Sequence, residues 1–442
     1  MNSRATRIGV IVALVAVLVT AVRPGPVAGF SGFGAQSADA TYGVEMVFDV
    51  SLPGGAPDRL ELLLRFTGSD EAFVAPVTAT GTSARYRWDA AARSVTPNTR
   101  IDHQWRAIDG GRMTLSPLRT LLYDDDRPGL NWRTAPFGDA TVHWYGNAES
   151  SARRFGEISS DAAARAEELL GHRLAGPVDI FVYGSRDDFF GALGPGAREW
   201  TGAATFPWLR TIFMWLGGGS TSFLETTIIH EVTHVVFQDA TDNPFHEPAK
   251  WFNEGLATWS ELETAAAERV VVASAASGGL LAFAAIRESF PIGDAAARLS
   301  YAQGATMVQM IIDQYGEVAI ADIAAAWQDG ASDDEALEAG TGQPAGALYA
   351  DYFASFGVAA PQPIEPAPIL PSNVDLPPQP VFSGEPAPEP TATVAATPTP
   401  SAPGEQPTDG TAWIALIVVA GLGTGAVVAM VRAGRRRSRS GP

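Results

Sequence analysis

Apolar and polar positions along this 442-residue chain repeat with different periods in different stretches. Between residues 40 and 138 the runs are short: Tyr42–Val50 alternates in steps of two, Leu60–Phe66 is strand-like, and Ile101–Arg106 and Leu121–Tyr123 continue the pattern. Alternation of that period puts every second side chain on one face, so the stretch predicts an all-β immunoglobulin-like sandwich. His103 reads there as a strand surface residue. From 140 to 357 the pattern changes. Val142–Tyr145 and Val178–Tyr183 read as strands, and Ser160–Leu170 between them as a helix. Thr211–Trp215 is a further β run, suited equally to an edge strand above a site and to an internal strand. Ile228–Phe237 is apolar over most of a helix circumference, which predicts a buried helix. Tyr301–Tyr315 is helical up to Gly316, and alanine-rich helices continue to Phe356. Strands first and helices later make this an α+β domain.

The buried helix carries the densest chemistry. His230-Glu231-Val232-Thr233-His234 sets two imidazoles four residues apart, hence on one helix face, where both reach a single metal ion. Glu231 then lies beside the open coordination position, where it can take a proton from water. Histidines and a carboxylate inside an apolar helix are costly to desolvate without partners, and a metal ion is such a partner. Ser222-Phe223-Leu224-Glu225 reads as a capping box opening the helix, and Thr241-Asp242-Asn243-Pro244 as its break. Catalytic zinc usually takes three protein ligands, and Glu254 in Trp251-Phe252-Asn253-Glu254-Gly255-Leu256-Ala257 is the best third, on a helix starting near Pro248. His246 is the weaker alternative.

These two motifs resemble those of the gluzincin zinc peptidases, in particular bacterial peptidase MA-like proteins. Tyr301-Ala302-Gln303-Gly304 extends the similarity, which covers about residues 140–357. The resemblance implies a gluzincin-like catalytic domain with His230, His234 and Glu254 holding Zn²⁺. It further implies Glu231 as general base and Tyr301, on a Tyr-x-x-Gly segment that opens a helix, as stabiliser of the transition state. On chemistry alone any phenol near the metal could donate to an oxyanion, so Tyr183, Tyr315 and Tyr349 also stand as candidates. Thr258 departs from the pattern, since thermolysin-like enzymes place an aspartate there to orient a zinc histidine. Glu261 could substitute, but reads first as a solvated helix charge. No Gly-x-Met-Glu-Asn segment precedes His230, so aminopeptidase action is not implied and endopeptidase action is favoured. Similar proteins carry a β-sandwich domain before a strand like Val142-His143-Trp144-Tyr145.

The chain ends bear on where this happens. Arg4 and Arg7 precede the apolar run Ile8–Val22, which makes residues 1–29 a secretory signal. Residues 358–410 are rich in Pro, Ala, Thr, Ser and Glu and predict an extended, disordered stalk. Residues 412–431 are twenty without a charge, long enough to cross a bilayer, and residues 432–442 form an arginine-rich tail. Positive-inside asymmetry makes the chain a single-pass membrane protein with its zinc motif extracellular and its C-terminus cytoplasmic. The net charge of −19 argues against nucleic acid as a partner. Cysteine is absent, so thiol catalysis and disulfides are excluded. Lys250 is the only lysine. The expected partner is a peptide or protein substrate, and the oligomeric state is left open. The alternative function is a zinc-binding but inactive cell-surface binding module.

Overall fold

A computed structural model describes residues 30–69, 71–194, 202–245, 247–261 and 264–361. The signal segment, most of the stalk, the C-terminal apolar run, the arginine tail and His246 lie outside these residues. Among the described residues no helix is long and apolar enough to cross a membrane. The described residues divide into two units, the first within residues 30–95 and 99–124, the second within 96–98 and 125–361.

The first unit is β-rich. β1 (Gln36–Thr41), β2 (Glu45–Ser51) and β5 (Ser83–Asp89) form one antiparallel sheet in the order β1-β2-β5. β3 (Arg59–Phe66), β4 (Phe73–Val77), β6 (Thr99–Asp109), β7 (Arg112–Leu115) and β8 (Arg119–Tyr123) form the other. β6 is long enough to pair with β8 along its first half and with β7 along its second. The alternation seen in the sequence has a direct cause: Met46, Phe48 and Val50 from one sheet meet Leu62, Leu64, Ile101 and Trp105 from the other in one core. His103 belongs to this inward set. It is buried edge-on against Phe48, not on the surface as expected, because it shares the parity of Ile101 and Trp105. Burial and the Arg119 charge push its pKa down.

The second unit begins earlier than the boundary at 138 implied by periodicity. β9 (Arg133–Phe137) turns through Gly138, at φ 54°, and pairs antiparallel with β10 (Ala140–Trp144). The sheet order is β12-β13-β11-β10-β9, with β11 (Val178–Tyr183), β12 (Ala203–Phe206) and β13 (Thr211–Trp215). β10, β11 and β13 are parallel, and the two outer strands run against them. β13, whose position the sequence left open, is therefore internal, and β12 is the edge. Ile180, Val182, Ile212 and Met214 face the helical core, while Phe181, Tyr183 and Phe213 face a separate aromatic cluster with Phe189 and Phe206. Burial on both faces explains why Ile180–Tyr183 and Ile212–Trp215 read as continuous apolar runs.

α1 (Glu149–Leu170) lies between β10 and β11 and α2 (Arg186–Leu193) between β11 and β12, while α3 (Thr221–Thr241), α4 (Lys250–Ser260), α5 (Thr264–Ala275), α6 (Asp294–Tyr315), α7 (Val318–Gln328), α8 (Asp333–Thr341) and α9 (Ala345–Ser355) follow the last strand. Three starts differ from expectation. α1 begins at Glu149, well before Ser160. α3 is capped by Ser220, whose hydroxyl accepts from the Phe223 amide at 3.3 Å, and Glu225 pairs with Arg154 at 3.0 Å instead of closing a box. α6 begins at Asp294 after Gly293, so Tyr301 sits inside the helix rather than opening it.

Candidate metal centre

α3 is buried along most of its length, and its geometry sets the rings of His230 and His234 on one face, edge to face, with centroids 4.7 Å apart. Both are almost fully buried, at 2% and 3% exposure. α4 delivers Glu254. Its Oε2 lies 3.6 Å from His230 Nε2 and 3.4 Å from His234 Nε2. Among the described residues these three are the one group of acidic and histidine side chains placed to hold a metal ion, with donor atoms within 4.8 Å of one another.

The remaining polar atoms of the group are fixed from behind. His230 Nδ1 meets Glu261 Oε1 at 2.6 Å, and His234 Nδ1 meets Asn253 Oδ1 at 2.7 Å. An acceptor at each Nδ1 holds the proton there and leaves the Nε2 lone pair for the centre. Glu261 is thus a partner of the site, not a solvated charge, and it takes the orienting role that Thr258 lacks. The Lys250 ammonium donates to Glu254 Oε1 at 2.7 Å. Burial works against the Glu254 charge, but Lys250 and the two histidines hold its carboxyl well below the usual range. Burial likewise lowers the His230 imidazole, yet its hydrogen bonds to Glu254 and Glu261 outweigh this and raise it to about 10. The cluster therefore draws a cation, proton or metal. The donor set of two imidazoles and a carboxylate fits zinc. Because proton and metal compete for His230, affinity should fall as pH falls: chelator competition at pH 6 should show zinc bound about 100-fold more weakly than at pH 8. An affinity that does not change over that interval would contradict the coupling.

α4 and α6 meet backbone to backbone. A Cβ on Gly255 would overlap the Gly304 carbonyl carbon, and one on Gly304 would overlap the Trp251 carbonyl oxygen. This contact is the physical reason for the glycines of both motifs, and it brings Tyr301, one turn before Gly304, beside the imidazoles. The Tyr301 ring lies 6.4 Å from that of His230 and packs edge-on against Phe290 at 4.8 Å. Its hydroxyl is buried without a hydrogen-bond partner. Burial, with the Glu254 and Glu231 charges, pushes the phenol well above its ordinary pKa, so it stays a neutral donor. The other tyrosines are engaged elsewhere. Tyr183 donates to Asp125 at 3.1 Å, Tyr315 accepts from Gln343 at 2.9 Å, and Tyr349 stacks on Phe283 at 4.8 Å.

Two contributors escaped the sequence. Thr205, on β12, donates to Glu231 Oε2 at 2.5 Å and fixes that carboxylate. Its four-residue strand, Ala203–Phe206, is too short to carry usable periodicity. Asp333, at the start of α8, accepts from the Ala249 amide at 3.2 Å and from Trp327 Nε1 at 3.0 Å. It thereby places an anion at the start of α4, where no side chain of that helix caps it and where Pro248 was expected to begin the first turn.

Residues 158–356 match the sequence model of the Peptidase MA superfamily. The chain is similar to the Peptidase MA superfamily over that stretch. All of His230, Glu231, His234, Glu254 and Tyr301 fall within it, whereas the β-rich unit and the sheet's β9 and β10 precede it. No curated protein matches the chain in sequence. Among solved structures, the yeast LTA4 hydrolase–bestatin complex is 10% identical, covering 73% of this chain and 66% of its own, with a TM-score of 0.36. The M1 zinc metallopeptidase of Deinococcus radiodurans is 12% identical, covering 77% of this chain and 97% of its own, with a TM-score of 0.31.

Proposed function

We propose that this chain is a zinc metallopeptidase that hydrolyses peptide bonds. The observation that carries the reading is the convergence of His230, His234 and Glu254, with each imidazole's Nδ1 already satisfied. His230, His234 and Glu254 would hold zinc, which would supply Lewis-acid chemistry for polarising a carbonyl and acidifying water. Glu231, fixed by Thr205, takes the proton of the attacking water and passes it to the leaving amine. Tyr301 donates its otherwise unpartnered hydroxyl to the oxygen on which negative charge develops. Among the described residues β12 pairs with β13 alone, and its other edge suits an extended peptide added as a strand; the absence of a Gly-x-Met-Glu-Asn segment before His230 favours endopeptidase action. The two-sheet first unit supports the immunoglobulin-like reading. The apolar run at 412–431 and the arginines that follow it support a membrane anchor with the enzyme outside the cell.

Elemental analysis of the full-length chain, paired with hydrolysis of a quenched peptide library, tests this. Purified protein should contain one zinc per chain and cleave; a chelator should abolish cleavage and added zinc restore it. Zinc retained with no peptide cleaved would overturn the peptidase and leave a binding module.

A further inference from the structure

We propose that Lys250 is a positioning residue that confines Glu254 to a single metal-facing oxygen. The proposal rests on the zinc reading above. The two carboxylate oxygens of Glu254 have separate partners: Oε2 faces both imidazoles, at 3.6 and 3.4 Å, while Oε1 is bound by the Lys250 ammonium at 2.7 Å. Helix stability does not account for the lysine. It is the first residue of α4, where the helix dipole opposes a cation, and lysine four residues before glutamate is the weaker order of such a pair. The main chain and the ammonium of Lys250 are each held, the ammonium by Glu254 and the Phe290 ring. The Lys250 amide donates to the Arg287 carbonyl at 2.7 Å, and Nζ lies 5.5 Å from the centre of the Phe290 ring. Phe290 in turn packs on Tyr301, so cation, ring and phenol form one wall.

The choice of residue follows from the same geometry. Everywhere else this chain uses arginine for positive charge. A guanidinium presents a fork that engages both oxygens of a carboxylate, and here it would compete for the one that faces the histidines. An ammonium is a point donor and takes one oxygen only. Lys250 therefore leaves Oε2 to the metal and keeps Oε1 away from it. Without that restraint both oxygens are free to bind, and the position that a water needs is filled.

The test uses the full-length chain loaded with cobalt(II), whose visible absorption is intense in four-coordinate sites and weak in five-coordinate ones, alongside zinc affinity by chelator competition. Wild type should show the intense spectrum. Lys250→Met should show the weaker one and bind zinc about 10-fold less tightly. Lys250→Arg should also lose affinity, although it keeps the charge. Circular dichroism of the metal-free proteins should be unchanged; if Lys250→Met does not fold, Lys250→Arg alone decides. A Lys250→Met spectrum and affinity equal to wild type, or full recovery by arginine, would overturn the proposal and leave the zinc reading standing. Wild type that takes up no metal would sink both.

Discussion

Glutamine in place of Glu231 should leave zinc bound and lower kcat for peptide cleavage by on the order of 10³- to 10⁴-fold. The substitution is nearly isosteric. The amide oxygen can still accept from Thr205, so the side chain stays where the carboxylate was. What is lost is the capacity to take and return a proton. KM should hold while kcat and kcat/KM fall together, the pattern of a group that acts only in the transition state. Zinc content should remain at one per chain, since Glu231 is not among the three converging donors. A variant that cleaves like wild type would place the base elsewhere.

Alanine in place of Gly304 should cost about 2 kcal/mol of stability and on the order of 100-fold in activity. In most exposed helix positions the same change is favourable by up to about 1 kcal/mol, because alanine is the better helix former. Here the new methyl would lie 2.9 Å from the Gly255 Cα and overlap the Trp251 carbonyl oxygen. Neither atom belongs to a side chain that can rotate away, so α4 and α6 must separate. That movement carries Glu254 away from the histidines and from Tyr301, so zinc affinity should drop with stability. Gly346 on α9 is the control: nothing lies within 4 Å of a Cβ built there, and its alanine variant should be at least as stable as wild type with unchanged turnover. Denaturant midpoints, chelator competition and kcat/KM on the same preparations separate the effects. A Gly304→Ala protein as stable as wild type would show that the helices do not meet as described.

These results show what the sequence could and could not disclose. The spacing of His230 and His234 was legible because helical geometry converts a separation of four into a shared face, with no other part of the fold required. Glu254 was legible through its motif, although its side chain arrives by packing. The partners behind the ligands were not. Glu261 lies seven residues beyond Glu254, and the helix alone does not show that its carboxylate turns back to His230. Thr205 comes from a strand too short to announce itself, and that strand in turn displaces β13 from the edge. Asp333 reaches α4 from far along the chain. His103 shows the converse error: polarity suggested the surface, while its parity with Ile101 and Trp105 had already placed it inside.

The bare backbone seam between α4 and α6 also limits how this enzyme could be redesigned. With no side chain between them, the spacing of ligand and phenol is set by the radii of main-chain atoms, and no repacking can lengthen or shorten it. Variation aimed at new selectivity therefore belongs in side chains outside this seam and outside the contacts of Lys250, Phe290 and Thr205, where a change leaves the spacing of ligand and phenol as it is.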